Sequence, residues 1–259
     1  MRRITIVGML VALLLASCGT SERGDVVAAG TTLVDSGFMA ELTAAYEGRT
    51  GRALRVVALS SAEAFAYLDA GTAQAAITHN PELSAAYAAA HPESVTSPVF
   101  VSEFIVVGPS GTTVTGSDVV DVFATVAGLE ATFVSRDDGS GTHARERAIW
   151  DAAGIDPDGR PWYVRTGTGM GSTLQVADQR NGYTLSELGS YLAAAETLGV
   201  QPVLVEDIEG LANPYTATLP GASSTDAADF VAWLSSDEGR TAIDDANTVL
   251  FGRPVYRSP

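Results

Sequence analysis

The sequence of 259 residues contains no lysine, one cysteine and three histidines. A single cysteine excludes an internal disulfide, and together with three scattered histidines it leaves few ligands for a zinc site. Positive charge is also scarce, because 15 arginines stand against 31 aspartates and glutamates and the net charge is −16. A surface this acidic repels nucleic-acid phosphates and anionic lipids, which argues strongly against general nucleic-acid binding.

The remaining composition is that of a folded protein. Hydrophobic residues make up 46% of the chain and charged residues 18%, which is typical of globular rather than disordered sequences. The length suffices for one large domain or for two of modest size.

The N-terminus predicts export from the cytoplasm. Two arginines precede an apolar run from Ile4 to Leu15, which is too short to span a bilayer and fits a signal peptide. The segment before Cys18 resembles a bacterial lipoprotein signal, in which the cysteine is lipidated and becomes the new N-terminus. We expect a signal peptide at 1–17, a lipidated tether at 18–25 and an extracytoplasmic protein held at the membrane by acyl chains. An ordinary secretory signal with a chance cysteine is the alternative.

Strands and helices alternate along the rest of the chain, which predicts an α/β fold with a mostly parallel sheet. Apolar runs predict strands, and helical spacing of apolar residues predicts helices between them. The predicted strands are 26–29, 54–59, 75–78, 104–107, 131–134, 183–185, 203–205 and 215–219. The predicted helices are 38–47, a helix starting at 60–63 with capping-box character, 81–90, 117–126, 143–153, 170–178, 186–197, 224–234 and 238–246.

Three turns share one design, in which a strand ends, small or hydroxyl residues follow and a helix begins. They are Gly30-Thr31-Thr32, Ser60-Ser61 and the segment from Arg136 to Thr142. Free N–H groups at a helix start and the positive end of the helix dipole form an anion site. Arg136 carries the only permanent positive charge in these turns and could pair bidentately with an oxyanion. The alternative is structural, since Ser and Thr at helix starts commonly act as N-caps and an Arg beside two Asp can be a surface ion pair.

The segment Ser135-Arg136-Asp137-Asp138-Gly139-Ser140-Gly141-Thr142-His143 resembles the oxyanion loop of extracytoplasmic solute-binding proteins of ABC importers. Further segments follow the tungstate-binding, Tup-type family; they are Trp162-Tyr163, 167–174, 182–192, Asn213-Pro214-Tyr215 and Thr31-Thr32 before Asp35. The chain departs from the family in three places. The family usually has a fuller Thr-Thr-Thr-Ser run at the first turn, where this chain has Ala29-Gly30-Thr31-Thr32. Ser60-Ser61 stands where a Thr-Gly is usual, and Ser102-Glu103 stands where an Asn-Asp pair is usual.

The resemblance implies a two-lobed, type II periplasmic-binding-protein (Venus-flytrap) fold with two crossover segments. Lobe 1 would comprise 26–105 and 214–259, and lobe 2 would comprise 106–213. It implies a receptor that delivers tungstate, or molybdate, to a membrane permease of an ABC importer. We expect a monomer with no cofactor, no metal site and no catalysis. The predicted ligand-binding residues are Thr31, Thr32, Ser60, Arg136, Ser140, Thr142, Met170 and Gly171.

Three other interpretations stay open at this point. Hydrogen phosphate keeps a proton and needs an acceptor, which Asp137 or Asp138 could supply. Ser140 and His143 could form a secreted serine hydrolase, although no Gly-x-Ser-x-Gly elbow is present. The chain could also be a receptor-like protein that has lost its ligand.

Overall fold

A computed structural model describes residues 24–203, 209–221 and 225–259 of the chain. The predicted signal peptide, Cys18 and the tether up to residue 23 lie outside these residues. Within them, no helix is long and apolar enough to cross a membrane.

The order of elements over the described residues alternates strands and helices in both halves of the chain. The strands are β1 Val26–Gly30, β2 Arg55–Leu59, β3 Ala75–Thr78, β4 Val95–Gly108, β5 Phe133–Ser135, β6 Tyr163–Arg165, β7 Thr184–Glu187, β8 Gln201–Pro202 and β9 Ala212–Leu219. The helices are α1 Thr31–Asp35, α2 Phe38–Thr50, α3 Ser61–Asp69, α4 Pro81–Ala90, α5 Val119–Gly128, α6 Gly141–Ala152, α7 Met170–Gln179, α8 Leu188–Ala194, α9 Asp226–Leu234 and α10 Asp237–Phe251, with short 3-10 turns at Ala195–Thr197 and Glu209–Leu211.

Local sequence explains where several of these helices begin and end. The predicted capping box is confirmed at α3, where the Ser60 hydroxyl accepts from the Glu63 backbone N–H and the Glu63 carboxylate accepts from the Ser60 backbone N–H. Helix α4 starts with the Asn80 cap and Pro81 at its first position, where proline's fixed φ and missing N–H suit a helix start. Helix α2 ends at Gly51, which adopts a left-handed φ of 70°.

The prediction of a mostly parallel sheet was wrong. Strand β1 pairs in parallel with β2 and β3, and β5 with β6, but β9 runs antiparallel to both β3 and β4. Strand β4 is also antiparallel to β7 and β8. The reason is that β4 and β9 pass between the two halves of the molecule in opposite directions, so their long ladder and its neighbours are antiparallel.

Among the predicted elements whose bounds differ from the structure are one helix and one strand with residues in a different conformation. The helix predicted over 186–197 begins only at Leu188, because Ser186 and Glu187 still pair with Ile105 and Phe104 of β4. Of the strand predicted at 203–205, Val203 lies after β8 and outside any strand, and residues 204 and 205 lie outside the described part of the chain.

The two largest hydrophobic cores lie in different halves of the molecule, as expected of a two-lobed fold, although Leu188 of α8, which we assigned to lobe 2, packs in the first of them. One core surrounds the β1–β3 sheet and includes Phe38, Phe100, Phe230 and Tyr256. The other includes Phe123, Phe133, Trp150, Trp162 and Tyr163, between α5, β5 and α6. Strands β4 and β9 connect the two cores. Strand β4 changes partner from β9 to β7 between Glu103 and Phe104, and the lobe boundaries predicted at 105/106 and 213/214 fall within these two strands.

Candidate oxyanion site between the lobes

The three turns singled out in the sequence lie close together across the gap between the lobes. Thr31 begins α1 directly after β1, and Ser60 follows the neighbouring strand β2, with Gly30 and Leu59 in register. From the other lobe, Arg136 follows β5, and its Nη2 donates to the Thr31 Oγ1 at 3.1 Å. This bond joins the two lobes at the end of their strands, where open α/β sheets place ligands.

Arg136 is the most deeply buried cation among the described residues. Its side chain is 1% exposed, and its Nε and Nη2 donate to the Asp138 Oδ2 at 3.1 and 2.5 Å. Burial opposes ionisation of Asp138, but the charge of Arg136 and hydrogen bonds from Ser140 outweigh it and lower the pKa of that carboxyl. The remaining terminal nitrogen, Nη1, is buried and has no partner among the described residues. The guanidinium is therefore held rigidly with one donor free.

The loop that carries Arg136 is bent by two left-handed residues. Asp137 has a φ of 47° and Gly139 a φ of 71°. The Ser135 hydroxyl accepts from the Asp137 backbone N–H at 3.2 Å, and the Asp138 Oδ1 accepts from the Ser140 backbone N–H at 3.1 Å. These bonds turn the chain sharply and bring the start of α6 up against the guanidinium.

Ser140 and His143 do not form the pair that a hydrolase needs. The Ser140 hydroxyl accepts from the His143 backbone N–H at 3.3 Å and caps α6. The His143 Nδ1 accepts from the Gly139 backbone N–H at 3.1 Å, and its Nε2 lies 3.6 Å from the Asp137 Oδ1. The imidazole therefore makes its contacts away from the serine hydroxyl, whereas an activated nucleophile needs a base within hydrogen-bond reach.

Two buried hydroxyls on the turns singled out in the sequence have no partner among the described residues. Thr142, in the first turn of α6, is 1% exposed and its Oγ1 bonds to no described residue. The same is true of the Ser61 Oγ, on the turn after β2. Leaving a buried hydroxyl unpaired costs about 1–3 kcal/mol, so each of these groups calls for a water or a ligand as its partner.

Ser60, which we predicted as a ligand contact, has a different environment from Ser61. Its hydroxyl donates to the Glu63 Oε2 at 2.8 Å and accepts from the Glu63 backbone N–H at 3.3 Å. The Ser60 hydroxyl therefore uses both its hydrogen and its oxygen in the cap of α3. The free donor on this turn therefore belongs to Ser61, a residue that the sequence analysis quoted without selecting it.

The two threonines of the first turn differ as well. Thr31 is half-buried, and its hydroxyl oxygen accepts from Arg136 across the lobes. Thr32 is buried, and its hydroxyl bonds to the Tyr215 hydroxyl at 3.0 Å, on the side of β9. Thr31 is thus placed at the ligand side of α1, and Thr32 at the core side.

Helix α7 begins beside α1, with its first-turn N–H groups uncapped by any side chain. The Met170 side chain packs in a small core with Leu174 and Tyr191, and Gly171 is exposed. The Asp35 carboxylate lies near this helix start, 3.9 Å from where a Cβ on Gly169 would be. Burial raises the pKa of Asp35, against the opposing effect of Arg136. An acidic group therefore already faces the N-terminus of α7.

His79 and Gly141 form a close interlobe contact that the sequence did not reveal. His79 follows β3, stacks on Tyr215 with ring centroids 4.8 Å apart, and bonds through its Nδ1 to the Asn213 Oδ1 at 2.9 Å. A Cβ added to Gly141 would lie 2.6 Å from the imidazole Cδ2 and Nε2. Burial lowers the pKa of His79, so the ring is neutral, and its Cδ2 and Nε2 atoms lie against Gly141 of α6.

A buried carboxyl supports the Arg136 loop from behind. Glu146 of α6 is 2% exposed, and its Oε1 accepts from the Tyr163 hydroxyl at 2.6 Å and from the Trp150 indole N–H at 3.3 Å. Burial raises the pKa of Glu146 to about 7, although bonds from Tyr163, Ser135 and Trp150 favour the charged form. The sequence carried a signal for this position, because residues 146, 149 and 150 lie on one helix face with helical spacing.

Replacing Glu146 by glutamine should change how stability depends on pH. A carboxyl whose pKa rises from 4.5 to about 7 on folding stabilises the fold fully below pH 4.5, and this contribution is lost as the pH rises through 7. This rise in pKa corresponds to about 3 kcal/mol of the free energy of unfolding. We expect urea unfolding of wild type to show a fall of this order between pH 4.5 and 7.5 relative to Glu146→Gln. Parallel pH profiles of the two proteins would contradict the expectation.

Comparisons with known proteins show which superfamily the chain belongs to. The family model described as "PBP superfamily domain" matches residues 16–238. The chain belongs to the PBP superfamily. A putative ABC transporter anion-binding protein of Haloferax volcanii is 32% identical, over 88% of this chain and 72% of its own. The tungstate-binding protein TupA of Peptoclostridium acidaminophilum is 28% identical, over 96% of this chain and 94% of its own.

A solved structure supports the two-lobed fold of this superfamily member. The tungstate-binding protein TupA from Desulfovibrio alaskensis superimposes with a TM-score of 0.75 at 28% identity, covering 90% of this chain and 98% of its own. Among residues 24–203, 209–221 and 225–259, no group of three or more His, Cys, Asp or Glu side chains could hold a metal ion.

Proposed function

We propose that the protein is an extracytoplasmic receptor that captures tungstate, or molybdate, between its lobes and delivers it to the permease of an ABC importer. The observation that carries the proposal is that three of the buried donors without a partner among the described residues, the Arg136 Nη1, the Thr142 Oγ1 and the Ser61 Oγ, lie on the turns that were singled out in the sequence. The relatives whose printed names include tungstate binding support the choice of ligand. The receptor performs no catalysis and uses no cofactor.

The proposed site offers donors from both lobes. Arg136 and Thr142 come from lobe 2 together with the first N–H groups of α6, while Ser61 and Thr31 come from lobe 1. Ser140 caps α6 and positions Asp138, and Met170 and Gly171 contribute backbone N–H groups at the start of α7. A dianion is costly to bury, and charge-assisted bonds of this kind compensate for the water it loses.

Proton-free oxyanions are favoured over hydrogen phosphate. Hydrogen phosphate needs an acceptor for its proton, and the two carboxylates beside Arg136 are both engaged. Asp138 accepts from Arg136 and Ser140, and Asp137 faces His143 and, at 3.9 Å, Arg165. Tungstate and molybdate present four acceptor oxygens and no proton at neutral pH, so they suit the free donors of Arg136, Thr142 and Ser61, whereas the Asp35 carboxylate near the start of α7 is the acceptor that a protonated oxyanion would need. Sulfate is also proton-free but smaller, and the size of the site would discriminate against it.

Isothermal titration calorimetry with tungstate, molybdate, sulfate and phosphate tests the proposal. We expect tungstate and molybdate to bind at least a hundredfold more tightly than phosphate. The affinity for sulfate should lie between that for these two anions and that for phosphate. Phosphate binding tighter than tungstate would replace the proposal with a phosphate receptor. If none of the four anions binds, the chain is a receptor-like protein without an oxyanion ligand.

Removing the Ser61 hydroxyl should weaken tungstate binding, whereas removing the Ser60 hydroxyl should lower the free energy of unfolding. Ser61→Ala deletes a free donor, so we expect a loss of about 1–3 kcal/mol in affinity, roughly five- to 150-fold, with little change in stability. Ser60→Ala deletes the cap of α3 and should cost about 1 kcal/mol of stability with tungstate affinity nearly unchanged. Calorimetry and urea unfolding of both variants measure the two effects. The reverse pattern would place the ligand donor on Ser60.

The N-terminus completes the proposal. Lipidation at Cys18 would tether the receptor to the outer face of the cell membrane as a monomer, through the segment 18–25. Mass spectrometry of the membrane fraction would detect acyl chains on Cys18. A soluble, unmodified protein would instead support an ordinary secretory signal.

A further inference from the structure

The buried carboxyl of Glu146 lies directly behind the loop that carries Arg136. It belongs to α6 and follows Gly141 by five residues. At 1.5 Å per residue this is about 7.5 Å along the helix axis. The Ser135 hydroxyl bonds to the Glu146 carboxyl and also accepts from the Asp137 backbone N–H at 3.2 Å. One side chain therefore connects Glu146 to the loop of the oxyanion site.

The groups that donate to the Glu146 carboxyl are neutral. The Tyr163 hydroxyl and the Trp150 indole N–H donate to its Oε1 at 2.6 and 3.3 Å, and the side chain is 2% exposed. A carboxylate that is buried among neutral donors carries a desolvation penalty that only a cation in direct contact would offset fully. Burial accordingly raises the pKa of Glu146 to about 7, so this carboxyl exchanges its proton near neutral pH.

Four elements bring charged or titratable groups towards Glu146. Arg147 of its own helix favours the charged form, and so does the hydrogen bond from Tyr163 of β6. Helix α5 packs on α6 with an apolar face, and its Asp121 is exposed. Strand β7 also packs on α6, and its Glu187 acts on two tyrosines of the other lobe. A dianion bound at the start of α6 would add two negative charges to these surroundings.

A bound dianion and a charged Glu146 repel each other. Both charges lie in the protein interior, where water and salt screen them much less than at the surface. Protonation of Glu146 removes this repulsion and keeps the contact with Ser135, because a protonated carboxyl can donate as well as accept. The coupling is reciprocal, so a proton that strengthens oxyanion binding is itself held more tightly when the oxyanion is bound.

We propose that Glu146 is a positioning residue of the oxyanion site and that its carboxyl takes up a proton when the oxyanion binds. This inference rests on the proposed function, because it requires a dianion at the start of α6. It extends that function by making capture depend on pH. The affinity for the dianion falls as the pH rises through the range in which the Glu146 carboxyl loses its proton.

Calorimetry of the full chain with micromolar tungstate at pH 6.5 and pH 8.5 tests the proposal. We expect wild type to bind at least threefold more weakly at pH 8.5. Glu146→Gln keeps the shape of the carboxyl without its charge, so it should bind at both pH values as tightly as wild type does at pH 6.5. The matched control is Asp151→Asn, which removes an exposed carboxylate from the same helix and should keep the pH dependence of wild type.

Tyr163→Phe separates the charge of Glu146 from damage to the loop. It removes a hydroxyl that favours the charged carboxyl, so the loss of affinity should move to higher pH. This variant should then bind tungstate more tightly than wild type at pH 7.5, and weaker binding at every pH would overturn the proposal. Wild type titrated at pH 7.5 in buffers of different ionisation enthalpy should show proton uptake.

The failure of this inference can be told apart from the failure of the proposed function. Equal tungstate affinity of wild type at the two pH values would overturn the coupling and leave the proposed function standing. A pH dependence that Glu146→Gln retains would also overturn it, and Asp35→Asn would then show whether the Asp35 carboxyl titrates instead. Absence of tungstate binding at every pH would overturn the proposed function and this inference together.

Discussion

Replacing Arg136 by methionine is expected to abolish measurable high-affinity tungstate binding. The substitution removes the one permanent positive charge among the donors and leaves the half-buried Asp138 carboxylate unpaired beside the bound dianion. Truncating one partner of a buried charged contact costs about 2–5 kcal/mol, which is roughly a thirty- to several-thousand-fold loss in affinity. Calorimetry with tungstate measures the loss.

Two further variants separate this effect from a general disturbance of the loop. Arg165→Met removes an exposed arginine that lies 3.9 Å from the Asp137 Oδ2, so it should bind tungstate like wild type. The double variant Arg136→Met with Asp138→Asn removes the orphaned carboxylate, so it should regain thermal stability without regaining affinity. Tungstate binding by Arg136→Met within a few-fold of wild type would remove Arg136 from the ligand contacts.

Replacing Gly141 by alanine should weaken binding by obstructing closure of the lobes. The added methyl group would lie 2.6 Å from the His79 ring, which Asn213 and Tyr215 hold in place. Overpacking of this kind costs about 1–3 kcal/mol, or roughly a five- to 150-fold loss in tungstate affinity. The apo protein, free to hold its lobes apart, should keep or gain stability, since alanine is the better helix former.

The matched control for this variant is Gly48→Ala. It lies inside α2, away from the proposed ligand contacts, and its added Cβ would have no heavy atom within 4 Å. Small-angle scattering at saturating tungstate should show a larger radius of gyration for Gly141→Ala than for Gly48→Ala. Equal affinities and equal radii for the two glycine variants would show that the contact with His79 does not limit closure.

Features that depend on neighbouring residues in the chain could be predicted from the sequence. The capping box of Ser60 and Glu63 and the helix at Pro81–Ala90 were both correct, because caps and helical spacing are local. The pairing and direction of the strands could not be predicted in this way, because they depend on residues far apart in the chain. The sequence marked only 104–107 of the long strand β4, and nothing in that apolar run indicates that its ladders are antiparallel.

In the candidate site, too, features within one segment could be predicted from the sequence and contacts between distant segments could not. Arg136, Ser140 and Thr142 were recognisable because a loop between a strand and a helix concentrates hydroxyls, glycines and one arginine. The choice between Ser60 and Ser61 required the structure, since the direction of each hydroxyl depends on whether Glu63 occupies it. The contact of His79 with Gly141 joins residues from different lobes, and a single sequence holds no record of such a pairing.

The bond between Arg136 and Asp138 has a consequence for the kinetics of capture. A guanidinium paired with its own carboxylate presents little net charge at a distance, and the molecule around it carries a charge of −16. An approaching oxyanion is therefore repelled over the whole of its diffusional path and attracted only within reach of the oriented donors. Added salt screens the long-range repulsion far more than the short contacts, so it should accelerate association and leave dissociation almost unchanged.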